Sequence, residues 1–205
     1  TYVPYALLLD RELDSAFDPC EVYQHDNMHG LYNDGVVNLL VYLLFEHFIG
    51  LGMRNIYEVF GDYVSKWNWP KRINAGSIPA IFSADRRDKH RKVQHIKCQA
   101  SDMLSIVTIL AHFTQTVLLM SADDDGKEVC QAFLALALVC ELIADTSRVA
   151  VPPERLLGAV HRFLDMFVKA FGYQWLSPKF HWMLHFGVTL MLNVRLFNCF
   201  CLERK

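Results

Sequence analysis

Acidic, histidine and lysine side chains recur at helical spacing near both ends of the chain. In "HDNMHG", Asp26 and His29 lie three residues apart, so a helix beginning there turns both side chains to one face. A carboxylate in this position can bind a hard divalent cation, and the histidine can orient a carboxylate or contact a phosphate. The alternative is structural, because aspartate is a preferred helix N-cap. Both interpretations of Asp26 stay open.

A second group lies in "PKFHWMLHF". His181 and His185 are four residues apart, a spacing at which two imidazoles of one helix can bind zinc. Cys199 and Cys201 follow, so a site of two histidines and two cysteines can be drawn, although one residue between the cysteines is fewer than usual. Two histidines that pack, or that bond to the backbone, are the alternative.

Glu203 follows the apolar run "FNCFC" and precedes Arg204. A neighbouring glutamate and arginine usually lie on a solvated helix surface. Glu203 gains a chemical role only where the fold places its carboxylate beside that of Asp26.

A basic segment, "DRRDKHRKVQHIK", stands out because the whole chain carries a formal net charge of −2. A local positive stripe can follow a phosphate backbone, and an exposed, charged helix start or loop is the alternative. The candidate nucleic-acid-binding residues are Arg86, Arg87, Lys89, Arg91, Lys92 and Lys97.

The elements that must position these side chains are mainly helices. Apolar residues recur at helical spacing from position 36 to 48, which predicts one helix from Asp26 or Asn27 to Gly50 or Gly52. Residues 21–25 are predicted to form a short buried strand. Residues 68–84 are predicted to be a loop. Further helices are predicted over 54–67, 127–145, 147–172 and 177–192. The segment 85–120 is predicted to open with charged residues and to become a long apolar helix.

Six cysteines occur without a CxxC pair, which favours reduced thiols and an intracellular protein. Cys130 and Cys140 are interpreted as small buried residues. No membrane association is expected, because the apolar stretch 36–53 contains polar and charged residues and the stretch 129–144 is too short. The sequence contains no glycine-rich phosphate loop, GxSxG elbow or HExxH motif.

In their order along the chain, the three motifs resemble segments of eukaryotic DDE-type DNA transposases. "HDNMHGL" is similar to their Asp-x-x-His segment, "PKFHWMLHF" to a Lys-x-His-x-x-x-His segment, and "FNCFCLERK" to a later Phe-x-x-Glu-Arg. The most similar group contains the CACTA, Plavaka and KDZ elements. The resemblance covers about residues 20–50 and 177–205, and the middle of the chain matches only as a long helical insertion.

The resemblance implies a ribonuclease H-like core in which three acids bind two divalent ions, Mg²⁺ or Mn²⁺, for phosphodiester attack. It makes Glu203 the last acid. It makes Asp26 either the second acid or the acid of a separate Asp-x-x-His element, so both are predicted catalytic and metal-binding residues. The supporting residues implied are His29, Lys179, His181 and His185. DNA is the implied partner, and the nucleus is the implied location.

The first acid of such a triad is expected on an earlier strand. Only Asp10, Asp14 and Asp18 precede Asp26, and none lies in a convincing strand context. We therefore expect a piece of a transposase-like protein in which metal-dependent DNA cleavage and strand transfer belong to the parent protein. The piece itself is expected to be inactive.

The expected architecture is a single, mainly α domain, 1–205, in which remnants of a ribonuclease H-like α/β core flank a helical insertion. Residues 20–50 form a strand-to-helix segment of the core, residues 51–176 the insertion, and residues 177–205 the return to the core. A non-enzymatic helical interaction module is the main alternative, and a small zinc-stabilised domain is a further one. The sequence is compatible with an oligomer and does not define one.

Overall fold

The structure, a computed structural model, describes residues 26–70, 76–193 and Leu196, and these residues form mainly α-helices without a strand. The prediction of a mainly helical chain is confirmed. The strand predicted at residues 21–25 lies outside the described residues, so the remnants of an α/β core are not confirmed. The described helices are α1 (Asn27–Leu31), α2 (Val36–Gly50), α3 (Ile56–Ser65), α4 (Ser77–Ile81), α5 (Ala84–Val93), α6 (Ala100–Phe113), α7 (Leu119–Ser121), α8 (Asp124–Asp145), α9 (Pro153–Phe171) and α10 (Pro178–Asn193).

The helix predicted from Asp26 to Gly50 is two helices, because the chain turns between α1 and α2. At Gly35 a Cβ atom would lie 2.3 Å from the carbonyl carbon of Leu31, so only glycine fits this close approach. Asp34 adopts a left-handed conformation with φ of 47°. The prediction of one continuous helix is therefore wrong at residues 32–35.

Two other predicted elements also differ from the observed structure. In the segment 85–120, the charged opening is a separate helix, α5, which Gln94 closes in a left-handed conformation with φ of 56° before the apolar helix α6 begins. The loop predicted over 68–84 contains the short helix α4. Helices α3, α8, α9 and α10 lie where the apolar periodicity placed them.

Helix α2 lies in the centre of the hydrophobic core and contacts α1, α3, α6 and α8. Its apolar residues extend around most of its circumference, as expected for a fully buried helix. Leu40, Val41, Leu44 and Phe45 have no exposed surface. Each such side chain contributes about 1.5–3 kcal/mol on burial, so α2 supplies much of the driving force for folding.

The C-terminal helices return the chain to its beginning. Helix α9 buries Leu156, Val160, Phe163 and Phe167 along one stripe against α8 and α10. The ring of Phe180 on α10 lies 4.6 Å from that of Phe167. Helix α10 also contacts α1, so the segment that contains His181 packs beside the segment that contains Asp26.

Within the described residues, the helical stretch Ala100–Ser121 is long and apolar enough to cross a membrane, with a mean hydropathy of 1.7. It comprises α6, a π-helical turn at Thr114–Leu118 and α7. Its side chains Met103, Ile106 and Leu110 are completely buried in the core. A core helix meets the same criteria of length and composition, so the stretch does not establish a membrane span. The absence of membrane association stays a prediction.

Candidate functional site

Asp26 is both the N-cap of α1 and the partner of His29. Its Oδ1 accepts a hydrogen bond of 3.0 Å from the backbone N–H of Met28, and its Oδ2 contacts Nδ1 of His29. The carboxylate side chain is 13% exposed, and the imidazole side chain is 44% exposed. Asp26 therefore has the helix-capping role that was one of its two interpretations from the sequence. A catalytic role for Asp26 stays a prediction.

Lys179 joins α10 to the turn that follows α1. Its Nζ donates hydrogen bonds to the backbone carbonyl oxygens of Asn33, at 2.8 Å, and Asp34, at 3.0 Å. Burial lowers the pKa of Lys179, and the nearby Asp34 carboxylate opposes that shift. The two carbonyl oxygens replace part of the water shell that the ammonium group loses. Lys179 thereby connects segments that are 146 residues apart.

The same turn also binds the segment between α5 and α6. Nε2 of His95 lies 2.9 Å from Oδ1 of Asp34. Buried Asn38 donates from Nδ2 to the carbonyl oxygen of Ile96 at 2.8 Å and accepts at Oδ1 from the N–H of Gly35 at 3.2 Å. The Asp-x-x-His helix, the end of the basic segment and the start of α10 therefore meet at residues 32–35, which we call the junction.

Three of the six predicted DNA-binding cations make hydrogen bonds within the fold. Arg86 donates to the carbonyl oxygen of Lys97 at 3.1 Å, and Arg87 donates to a backbone carbonyl before α3 at 3.2 Å. Arg91 forms a bidentate pair with Glu46, with contacts of 3.0–3.2 Å. Because these guanidinium groups already have acceptors, they are less available to a phosphate than the sequence alone indicates.

The other three cations, Lys89, Lys92 and Lys97, have exposed side chains. Among the described residues, none of them forms a side-chain hydrogen bond or ion pair. Asp85 and Asp88 lie on the same helix as Lys89 and Lys92 and reduce the local positive field. Of the six predicted cations, these three lysines are therefore the ones most available to a phosphate backbone.

His90 fixes the basic segment to the core. It has no exposed surface, its Nε2 donates to the carbonyl oxygen of Ile81 at 2.8 Å, and its Nδ1 accepts from the N–H of Lys97 at 3.0 Å. These two bonds require a neutral imidazole with its proton on Nε2. Burial lowers the pKa of His90, and Arg86 and His95 lower it further. His90 thus sets the position from which Lys97 projects.

The two-metal site implied by the resemblance is not formed by the described residues alone. Both carboxylate oxygens of Asp26 have contacts within α1. Within the described ranges, no group of three or more His, Cys, Asp and Glu side chains could hold a metal ion. Glu203, Cys199 and Cys201 lie outside these ranges, so the roles predicted for them stay predictions.

His181 and His185 lie on one side of α10, as the sequence spacing predicted. Their Nε2 atoms are 3.1 Å apart, and their ring centroids are 4.8 Å apart. His181 is exposed and His185 is half-buried. The pair is therefore accessible on one side of a helix whose other side packs in the core.

A groove of about 540 Å³ lies between α6 and α8. Its floor includes Tyr32 and Cys140, its rims include the partly exposed Leu104 and Leu138, and Arg148 lies at one end. Burial raises the pKa of Cys140 to about 12, so its thiol is not a nucleophile at neutral pH. The groove therefore offers no reactive thiol, and its lining combines apolar side chains with Glu141, Asp145 and Arg148.

The sequence identified Asp26, His29 and Lys179 but not the junction that connects them. The tripeptide Asn33-Asp34-Gly35 is a turn signal, yet the periodic apolar residues on both sides favoured one continuous helix. The contact between Asp34 and His95 depends on the tertiary fold and has no local sequence signal.

Comparisons of the chain with protein-family models, with curated proteins and with solved structures found no match.

Proposed function

We propose that this chain is part of a transposase-like protein and that it binds the phosphate backbone of DNA through Lys89, Lys92 and Lys97. In the parent protein, Asp26 and Glu203 would contribute to a site for Mg²⁺ or Mn²⁺ that supplies phosphodiester cleavage and strand transfer. This piece binds DNA without cleaving it. The resemblance to eukaryotic transposases supports a nuclear location for this role.

The observation that carries the proposal is the hydrogen bonding of Lys179 to the carbonyls of Asn33 and Asp34. Two motifs at opposite ends of the sequence are thereby held side by side, as segments of one functional site must be. The resemblance rests on those two motifs and on "FNCFCLERK". The proximity of the first two supports it independently of their order along the chain.

The DNA contact is supported by the charges that the fold leaves available. Lys97 has a fixed backbone, because its N–H is bound to His90 and its carbonyl oxygen to Arg86. Its side chain, and those of Lys89 and Lys92, are exposed. Lysines that are not paired with carboxylates can release counterions from DNA, which supplies sequence-independent affinity.

Fluorescence anisotropy with a labelled DNA duplex at low salt tests the binding proposal. The variant Lys89→Ala/Lys92→Ala/Lys97→Ala should bind roughly tenfold to a hundredfold more weakly than the wild type, because up to three phosphate contacts are lost. The control is Glu46→Gln/Arg91→Gln, which removes an ion pair without changing the net charge. Equal affinity of the triple variant and the wild type would contradict the proposal.

A plasmid-nicking assay with Mg²⁺ or Mn²⁺ tests the proposed lack of cleavage. The described residues do not complete the acidic two-metal site that cleavage requires, so we expect no cleavage above background by the isolated chain. Robust cleavage that disappears in Glu203→Gln would show that the chain contains a complete active site.

A wild-type chain that does not bind DNA even at low salt would favour the alternative hypothesis, a non-enzymatic helical interaction module. The groove between α6 and α8 is the observation that favours this alternative, because Leu104 and Leu138 expose apolar surface beside it.

A further inference from the structure

The Nε2 atoms of the two histidines of α10 are separated by a distance that suits two ligands of one metal ion. The Nε2 atoms of His181 and His185 are 3.1 Å apart, and their rings are inclined by 82°. Two nitrogen atoms that bind one ion at about 2.0–2.1 Å are separated by about 2.9 Å at a right angle and about 3.3 Å at the tetrahedral angle. The observed separation lies between these two values.

The helix that carries the pair is held firmly by its other side. Phe180, Met183 and Phe186 are buried in the core, and Lys179 hydrogen-bonds to the junction. The two imidazoles are therefore positioned by a packed scaffold, and little conformational entropy is lost when they bind one ion together.

Within the described ranges, the outer side of the pair is accessible to solvent. His181 is exposed, and Val188, about one helical turn beyond His185, is 49% exposed. In the pair, the two Nε2 atoms face each other at the protein surface.

We propose that His181 and His185 bind one divalent transition-metal ion such as Zn²⁺, Ni²⁺ or Cu²⁺, with water in the remaining coordination positions. Imidazole nitrogen is a suitable ligand for each of these ions. The site needs neither Cys199 nor Cys201, and it does not depend on the proposed binding of DNA.

Binding of the ion conserves the number of protons on the two imidazoles and needs no redox step. In the metal-free pair, one Nε2 carries the proton and donates it in a hydrogen bond to the other Nε2. When the ion binds, that proton moves to Nδ1 of the same ring by exchange with water, and both Nε2 lone pairs coordinate the ion. The imidazoles stay neutral, and one hydrogen bond is replaced by two coordinate bonds.

Isothermal titration calorimetry of the tag-free chain with Ni²⁺, repeated with Zn²⁺, tests the site. We expect one ion per chain, bound at least about tenfold more weakly by His181→Ala and by His185→Ala, which corresponds to a loss of about 1.4 kcal/mol. The control is His161→Ala, which removes an exposed histidine of α9 and leaves the pair intact. Its affinity should equal that of the wild type.

A second readout separates loss of the ligand from loss of the fold. The wild type should show a melting temperature that rises with the concentration of Ni²⁺, since the ion binds the folded state. His181→Ala should melt near the wild-type temperature without metal, because His181 is exposed, and should lose the rise. Undiminished binding by both single variants would overturn the proposal.

Discussion

The Nζ atom of Lys179 lies 2.8 Å from the backbone carbonyl oxygen of Asn33, so the start of α10 is hydrogen-bonded to the turn between α1 and α2. The ammonium group also reaches the carbonyl of Asp34. These bonds close the chain around its helical middle and hold the Asp-x-x-His segment beside the Lys-x-His-x-x-x-His segment. The packing of α10 against α1 holds the same two segments together, and the Lys179 hydrogen bonds add to it.

Replacement of Lys179 by methionine should lower the free energy of unfolding by about 1–2 kcal/mol, because two carbonyl oxygens lose a charged donor while the aliphatic packing is kept. Urea denaturation followed by circular dichroism measures the change. Lys127→Met is the control, since Lys127 pairs with Asp124 on the exposed surface of α8 and should show no measurable change. Equal stability of Lys179→Met and the wild type would mean that the junction does not depend on this contact.

Two substitutions at Asp26 separate its capping role from its charge. Asp26→Asn keeps a side-chain oxygen for the N–H of Met28, so the cap should survive. Asp26→Ala removes the cap and the contact with His29, and should cost about 1 kcal/mol of stability relative to Asp26→Asn. Urea denaturation of the two variants measures the difference. Identical stabilities would show that the cap contributes nothing.

The stability contributed by His90 should decrease at acidic pH. Its pKa in the folded state is below the ordinary value of 6.5, so the unfolded chain binds the proton more readily. The contribution is fully present above pH 6.5 and is lost as the pH falls from there towards the folded pKa.

His90→Phe keeps an aromatic ring but leaves the Ile81 carbonyl and the Lys97 N–H without their partner, so it should be less stable by about 1–3 kcal/mol at neutral pH. Urea denaturation at pH 7.5 and pH 5.5 should show this difference shrinking at the lower pH. A difference that is independent of pH would show that the titration of His90 is not linked to folding.

The described cysteines should resist alkylation in the folded protein. Burial raises the pKa of the thiols of Cys98, Cys130 and Cys140 to about 12, and the Asp102 carboxylate also raises that of Cys98. Little thiolate is therefore present at pH 8. Peptide mass mapping after iodoacetamide treatment should find these three cysteines unmodified in buffer and modified in urea. Modification of Cys140 at equal rates in both conditions would contradict its burial.

The spacing of apolar residues predicted a helix correctly where those residues are the ones that pack in the core. The stripe from Leu156 to Phe167 gave α9, and the prediction that Cys130 and Cys140 are small buried residues is confirmed. The break at Gly35 was missed, because the apolar residues on both sides have helical spacing while the contacts that stabilise the turn come from Ile96 and Lys179.

The candidate site was predictable only as separate pieces. The spacing of His181 and His185 predicted that they share one face of a helix, and they do. The pairing of Arg91 with Glu46 could not be predicted, since it joins residues 45 positions apart. Residue type alone therefore overestimated how many cations are available to DNA. The relation of Asp26 to Glu203 lies outside the described residues.

The salt dependence of DNA affinity tests most directly whether the three lysines contact phosphates. The affinity of the wild-type chain for a duplex should fall linearly on a plot of log K against log salt concentration. In Lys89→Ala/Lys92→Ala/Lys97→Ala the slope should be smaller in magnitude by about 2.7, since each contact with duplex DNA contributes about 0.9. Identical slopes for the two proteins would show that these lysines do not bind the DNA backbone.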